Sequence, residues 1–69
     1  MQIVYVYHDT KADTYKGLIQ ATSSEIQAMN KKSTRVTADS TTMTMVSGSV
    51  IQCIDDMSQT LILYENEWR

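Results

Sequence analysis

His8, Asp9 and Asp13 are the first residues along the chain whose types could do chemistry. An imidazole between two carboxylates can hold a divalent cation or relay a proton. There is no second histidine, and this spacing does not close a shell of three ligands. The group therefore reads as a strand-end histidine beside solvated loop carboxylates. Asp55-Asp56 reads as a turn facing water rather than a metal pair. Cys53 is the only thiol. A nucleophilic thiolate needs an electropositive neighbour or a helix N-terminus, whereas Asp55 and Asp56 close by favour the protonated thiol. A buried structural cysteine is expected. Ser and Thr together number sixteen, yet no Gly-x-Ser-x-Gly elbow and no glycine-rich phosphate loop occurs, and the chain has two glycines in all. No catalytic residue, metal site or cofactor is assigned, and the sequence reads as a non-enzyme.

Residues suited to binding are more numerous. Tyr5 and Tyr7 lie two apart in a run of strand-forming residues and so share a face, with Tyr15 expected opposite on the partner strand. A rigid ring brings large contact area at low entropic cost, which favours tyrosine at protein interfaces. Rings on a sheet also stack nucleobases. Lys31, Lys32 and Arg35 place three positive charges within five residues, able to steer an acidic surface or a phosphate backbone. Trp68 is either a lid on the core or an exposed anchor. The expected binding set is Tyr5, Tyr7, Tyr15, Lys31, Lys32, Arg35 and Trp68.

The elements that must position these residues can be traced from periodicity. Residues 2–8 are β-branched and aromatic throughout. Strict alternation would put Ile3, Tyr5 and Tyr7 on one face and Val4, Val6 and His8 on the other. Residues 14–21 resume strand character, and a hairpin with 2–8 is the simplest pairing. Gly17 inside that second strand signals a bulge or a close backbone approach. Thr22-Ser23-Ser24-Glu25 is a capping box, predicting a helix from about Ser23 to Lys32. Ile26 and Met29 would face the sheet, with the two lysines in the last turn, where the helix dipole favours cations. Arg35–Val46 reads as one strand interrupted at Asp39-Ser40. Ser47-Gly48 reads as a two-residue hairpin loop, followed by a strand over Ser49–Ile54 and a last strand over Gln59–Glu65. The stretch 50–58 also fits a helix, since Val50, Ile54, Met57 and Leu61 fall at helical spacing. The expected architecture is α+β, β-β-α-β-β-β: a single domain over 1–69, with one helix on one face of an antiparallel sheet.

Composition sets outer bounds. The 69 residues carry a formal charge of −2, against the positive excess of proteins that coat nucleic acid. No run of apolar residues is long enough for a transmembrane helix, and residues 1–8 alternate where a secretory signal would have an unbroken apolar block behind a basic start. The expectation is a soluble cytoplasmic domain. A chain this short buries only about 60% of its unfolded surface, and without disulfide or metal a partner or a homodimer becomes attractive. No proline guards an edge strand. With its strand pair over 2–21 and the strand-to-helix junction Ala21-Thr22-Ser23-Ser24-Glu25, the acidic chain, read as free-standing from Met1, resembles the small anti-CRISPR proteins of phages and mobile elements. Residues 2–32 carry the resemblance. It implies an inhibitor in a bacterial host cell that occupies a surface on a host protein or protein–nucleic acid complex, such as a CRISPR effector. A small nucleic-acid-binding regulator stacking bases on the tyrosines, and a structural homodimer, are the alternatives.

Overall fold

The computed structural model describes residues 1–69. In chain order the elements are β1 (Gln2–Asp9), β2 (Thr14–Ala21), α1 (Ser23–Ala28), β3 (Arg35–Ala38), β4 (Thr41–Thr44), β5 (Val50–Cys53), β6 (Thr60–Tyr64) and β7 (Glu67–Trp68). Five strands form one sheet in the order β1-β2-β5-β6-β7, and β3 and β4 form a separate two-stranded ribbon. The antiparallel β1–β2 hairpin matches the sequence expectation.

The sheet as a whole is mixed, because β2 and β5 run parallel. Parallel neighbours need a long crossover, and here α1 and the β3–β4 ribbon supply it. The core lies between this crossover layer and one face of the sheet. The sheet contributes Ile19, Ala21, Ile51, Cys53, Leu63 and Trp68, all buried. Facing them are Ile26 of α1, with Val36, Ala38, Met43 and Met45 of the ribbon and its end.

Several predicted boundaries are revised. The capping box forms as read: Thr22 Oγ1 accepts the Glu25 N–H at 3.2 Å, and Glu25 Oε1 accepts the Thr22 N–H at 2.9 Å. The helix nevertheless ends at Ala28, with Met29 already extended (φ −76°, ψ 152°), so Lys31 and Lys32 lie beyond its last turn. The competing interaction is long-range. The Lys31 carbonyl accepts the Trp68 N–H at 2.7 Å, and the Ser33 carbonyl accepts Trp68 Nε1–H at 3.1 Å. Residues 31–33 are thus drawn to the β7 edge of the sheet.

Asp39-Ser40 is a tight turn between two strands, not an interruption in one. Both residues have positive φ (49° and 62°), as do Glu65 and Asn66 (49° and 65°) in the β6–β7 turn. Paired left-handed residues make the two-residue hairpin turn whose twist matches its strands. Ser47-Gly48 also turns, with Gly48 at φ 95°, but β4 and β5 do not pair, so it joins two layers and not a hairpin. Residues 50–53 are strand, which settles the helical alternative there, and the last predicted strand shortens to β6.

Gly17 makes the close approach its position suggested. A Cβ there would lie 2.2 Å from the Tyr5 carbonyl oxygen and 2.7 Å from Val6 Cα. Next to it β1 carries an irregularity between Ile3 and Tyr5, where the register shifts by one. This shift overturns the strict alternation read from sequence. Ile3 and Val6 both pack against the core, while Val4, Tyr5 and Tyr7 are exposed.

Candidate functional site: the uncovered face of the sheet

The register places side chains in rows across the face opposite the core. Tyr5 on β1 pairs with Leu18 on β2, Leu18 with Val50 on β5, and Val50 with Ile62 on β6. Paired residues project to the same side, so these four form one apolar row across four strands. Beside it, Gln2, Gln20, Gln52 and Thr60 pair in the same way into a polar row. On the other side Tyr7 pairs with Lys16, and Tyr64 lies two residues beyond Ile62. Tyr5, Tyr7, Ile62 and Tyr64 are each at least half exposed. Isolated exposed apolar residues are ordinary, whereas a contiguous row rimmed by polar groups marks an interaction surface.

A groove of about 490 Å³ opens on this face, lined by Tyr5, Tyr7, Lys16, Gly17, Leu18, Gly48 and Val50. Gly17 lines it with backbone alone, and Gly48 lets the Lys16 chain lie against its backbone, where a Cβ would stand 2.9 Å from Lys16 Cε. At the far end of the face the Arg69 guanidinium sits 5.5 Å from the centre of the Tyr64 ring, a cation–π contact.

The remaining sequence candidates fall elsewhere. Tyr15 pairs with His8 on the core-side face of the hairpin, and the two rings stack at 4.0 Å and 2°. This corrects its placement with Tyr5 and Tyr7, since residues at odd and even offsets on a strand face opposite ways. Trp68 is 2% exposed and its indole N–H is bonded to Ser33, so it is the lid on the core and not an exposed anchor. Lys31, Lys32 and Arg35 belong to the crossover layer, on the other side of the sheet from Tyr5 and Tyr7. Lys31 Nζ donates to the Ile26 carbonyl at 3.2 Å, closing one of the open carbonyls of the short helix. The aromatic and basic candidates therefore do not share one surface. Leu18, Val50, Ile62 and Lys16 complete the aromatic face. Val50 and Ile62 join it only through the parallel β2–β5 register, which sequence does not announce, and Leu18 and Lys16 through the one-residue shift in the β1–β2 pairing.

The acidic and thiol groups are occupied locally. Asp55 accepts the Ser23 N–H at 2.9 Å, Ser23 Oγ–H at 3.1 Å and the Cys53 thiol at 2.9 Å. The Cys53 thiol is pushed up, first by donating to the Asp55 carboxylate and then by burial; Asp55 is held down by the same bond and by Ser23. Asp56 accepts from the Ser58 N–H and Oγ–H and from Gln59 Nε2, which hold its carboxyl below the usual carboxylate range. His8 Nε2 lies 2.9 Å from Asp13 Oδ1, while Asp9 caps the turn N–H groups of Lys11 and Ala12. No three His, Cys, Asp or Glu side chains gather closely enough to share a metal ion. No helix is long and apolar enough to cross a membrane.

Fold and site together define a class: a small sheet-dominated domain, covered on one face by a short helix and a ribbon and carrying an aromatic and aliphatic row on the other. No protein-family model, curated protein or solved structure matches the chain.

Proposed function

We propose that this chain is a non-catalytic binding module that engages a partner protein through the uncovered face of its sheet. The observation that carries the reading is the in-register row Tyr5–Leu18–Val50–Ile62, flanked by the exposed rings of Tyr7 and Tyr64. Large rigid side chains around an apolar groove are the anatomy of an interface core, with the glutamine row as its polar rim. Lys16 is the one cation lining the groove. A single charge gives little purchase on a phosphate backbone, which favours an apolar protein segment with an acidic neighbour over nucleic acid. Lys31, Lys32 and Arg35, on the other layer, serve long-range steering.

The resemblance carried by residues 2–32 makes a bacterial protein assembly, a CRISPR effector among them, the first partner class to test. The mode of action would be steric, by occupying a surface the assembly needs. The experiment is retention of bacterial proteins on the immobilised chain. A protein held by the wild type should be lost to Y5A/Y7A and kept by K31A/K32A/R35A. Retention by Y5A/Y7A at wild-type level sinks the reading. Nucleic acid captured in its place, with a steep fall in affinity as salt rises, would favour base stacking on the same rings.

A further inference from the structure

β1 is the end strand of the sheet, and half of its outer edge is open. In an antiparallel ladder the backbone groups of successive residues point alternately to the neighbour and away from it. On β2, the Tyr15 carbonyl accepts the Val46 N–H at 2.9 Å, and the Gly17 N–H donates to Ser49 Oγ at 3.3 Å. Both residues therefore turn away from β1. Their β1 partners are His8 and Val6, whose N–H and C=O groups must point outward to the edge.

The other half of this edge is guarded. The Ile3 N–H donates to Asp39 Oδ2 at 2.8 Å, the Met1 carbonyl accepts the Asp39 N–H at 3.2 Å, and the irregularity at Val4 breaks the ladder. The opposite edge, β7, is closed by the Trp68–Lys31 bond. Over Tyr5–Asp9 the usual devices against pairing, proline, lysine and a bulge, are all missing.

We propose that a second copy of this chain pairs at this edge, β1 against β1, antiparallel about a two-fold axis at Tyr7. The open groups fix that register. With Val6 set against the partner's His8, and His8 against the partner's Val6, each copy's two outward N–H groups meet two outward carbonyls. A two-fold interface must be self-complementary in this way. The same register sets Tyr7, 73% exposed, beside the partner's Tyr7 on the uncovered face. Two sheets become one, and the aromatic face doubles. This inference concerns the edge and stands independently of what binds the face.

Cysteine at position 7 tests it. Residues facing each other across a non-hydrogen-bonded antiparallel pair have Cα atoms about 4.5 Å apart, inside the span of a disulfide, about 4.4–6.8 Å. Under mild oxidation Y7C should form a covalent dimer of twice the 7.8 kDa chain mass, at least about tenfold faster than Y64C, because pairing raises the local thiol concentration. Tyr64 is comparably exposed, on β6. In sedimentation at hundred-micromolar concentration, the wild type should be dimeric and Y7K monomeric, with like charges opposed across the axis. Equal cross-linking rates for Y7C and Y64C, or a wild type that sediments at 7.8 kDa throughout, overturn the proposal.

Discussion

Tyr7 and Trp68 are both large aromatic residues near the end of a strand, and they meet opposite environments. Tyr7 is 73% exposed and Trp68 is 2% exposed. The difference rests on a partner that local sequence does not announce: the Trp68 indole bonds to the carbonyl of Ser33, 35 residues away. W68A should cost about 3–5 kcal/mol, the range for emptying a buried aromatic site. That is comparable with the whole stability of a short chain at about 0.05–0.15 kcal/mol per residue, so W68A should be largely unfolded in a urea titration. Y7A should melt within about 0.5 kcal/mol of wild type, as exposed substitutions do. Equal losses for the two would mean that the ring of Tyr7 is core. Cys53 illustrates what composition can supply on its own. Its acidic neighbours in sequence argued for a protonated thiol, and in the fold that thiol donates a hydrogen bond to the Asp55 carboxylate.

At the scale of elements, local chemistry was legible and long-range register was not. The Thr22–Glu25 capping box and the β1–β2 hairpin needed only neighbouring residues. The helix end needed Trp68, the parallel β2–β5 pair needed the whole crossover, and the turns at Asp39-Ser40 and Glu65-Asn66 adopt positive φ without glycine. Those turns hid two strand boundaries, because glycine is the usual mark of such a conformation. Gly17 bears directly on this scale. In G17A the new methyl group must displace β1 backbone at Tyr5 and Val6, not a flexible side chain. The chain should lose more than the ~1 kcal/mol typical of a random substitution, and a thermal melt unchanged from wild type would contradict the close approach.

Three carboxylates held by hydrogen bonds set the response to acid. Glu25 is held below its usual range by the Met1 ammonium and the Thr22 N–H, Asp55 by Cys53 and Ser23, and Asp56 by Ser58 and Gln59. A carboxyl depressed in the folded state binds fewer protons there than in the unfolded chain. Its contribution is therefore complete above the unfolded value near pH 4 and is lost as pH falls through the folded one. Stability should stay flat from pH 7 to about 5 and drop below about 4. In D55N/D56N, with Glu25 intact, the drop should be shallower in a series of melts across that window.

At the scale of the whole molecule, one face of a five-stranded sheet is covered and the other is not. The crossover of about 28 residues (22–49) that makes β2 and β5 parallel is the entire second layer, and its apolar residues are spent on the core-side face. Nothing remains to cover Tyr5, Leu18, Val50 and Ile62. Tyr5, Tyr7, Ile62 and Tyr64 are exposed there, which is the basis for proposing this face as the binding surface. The sequence pointed to the two tyrosines but joined them to Lys31, Lys32 and Arg35. Only the fold shows that the sheet itself separates the two groups.

A photo-cross-linking residue placed at Ile62, at the β6 end of the apolar row, and separately at Thr42, exposed on the ribbon, tests this most directly. Irradiated in a bacterial lysate, the Ile62 probe should give a covalent adduct with a heterologous protein that the Thr42 probe does not give. An adduct formed equally from both positions, or from Thr42 alone, would contradict the assignment of this face as the binding surface.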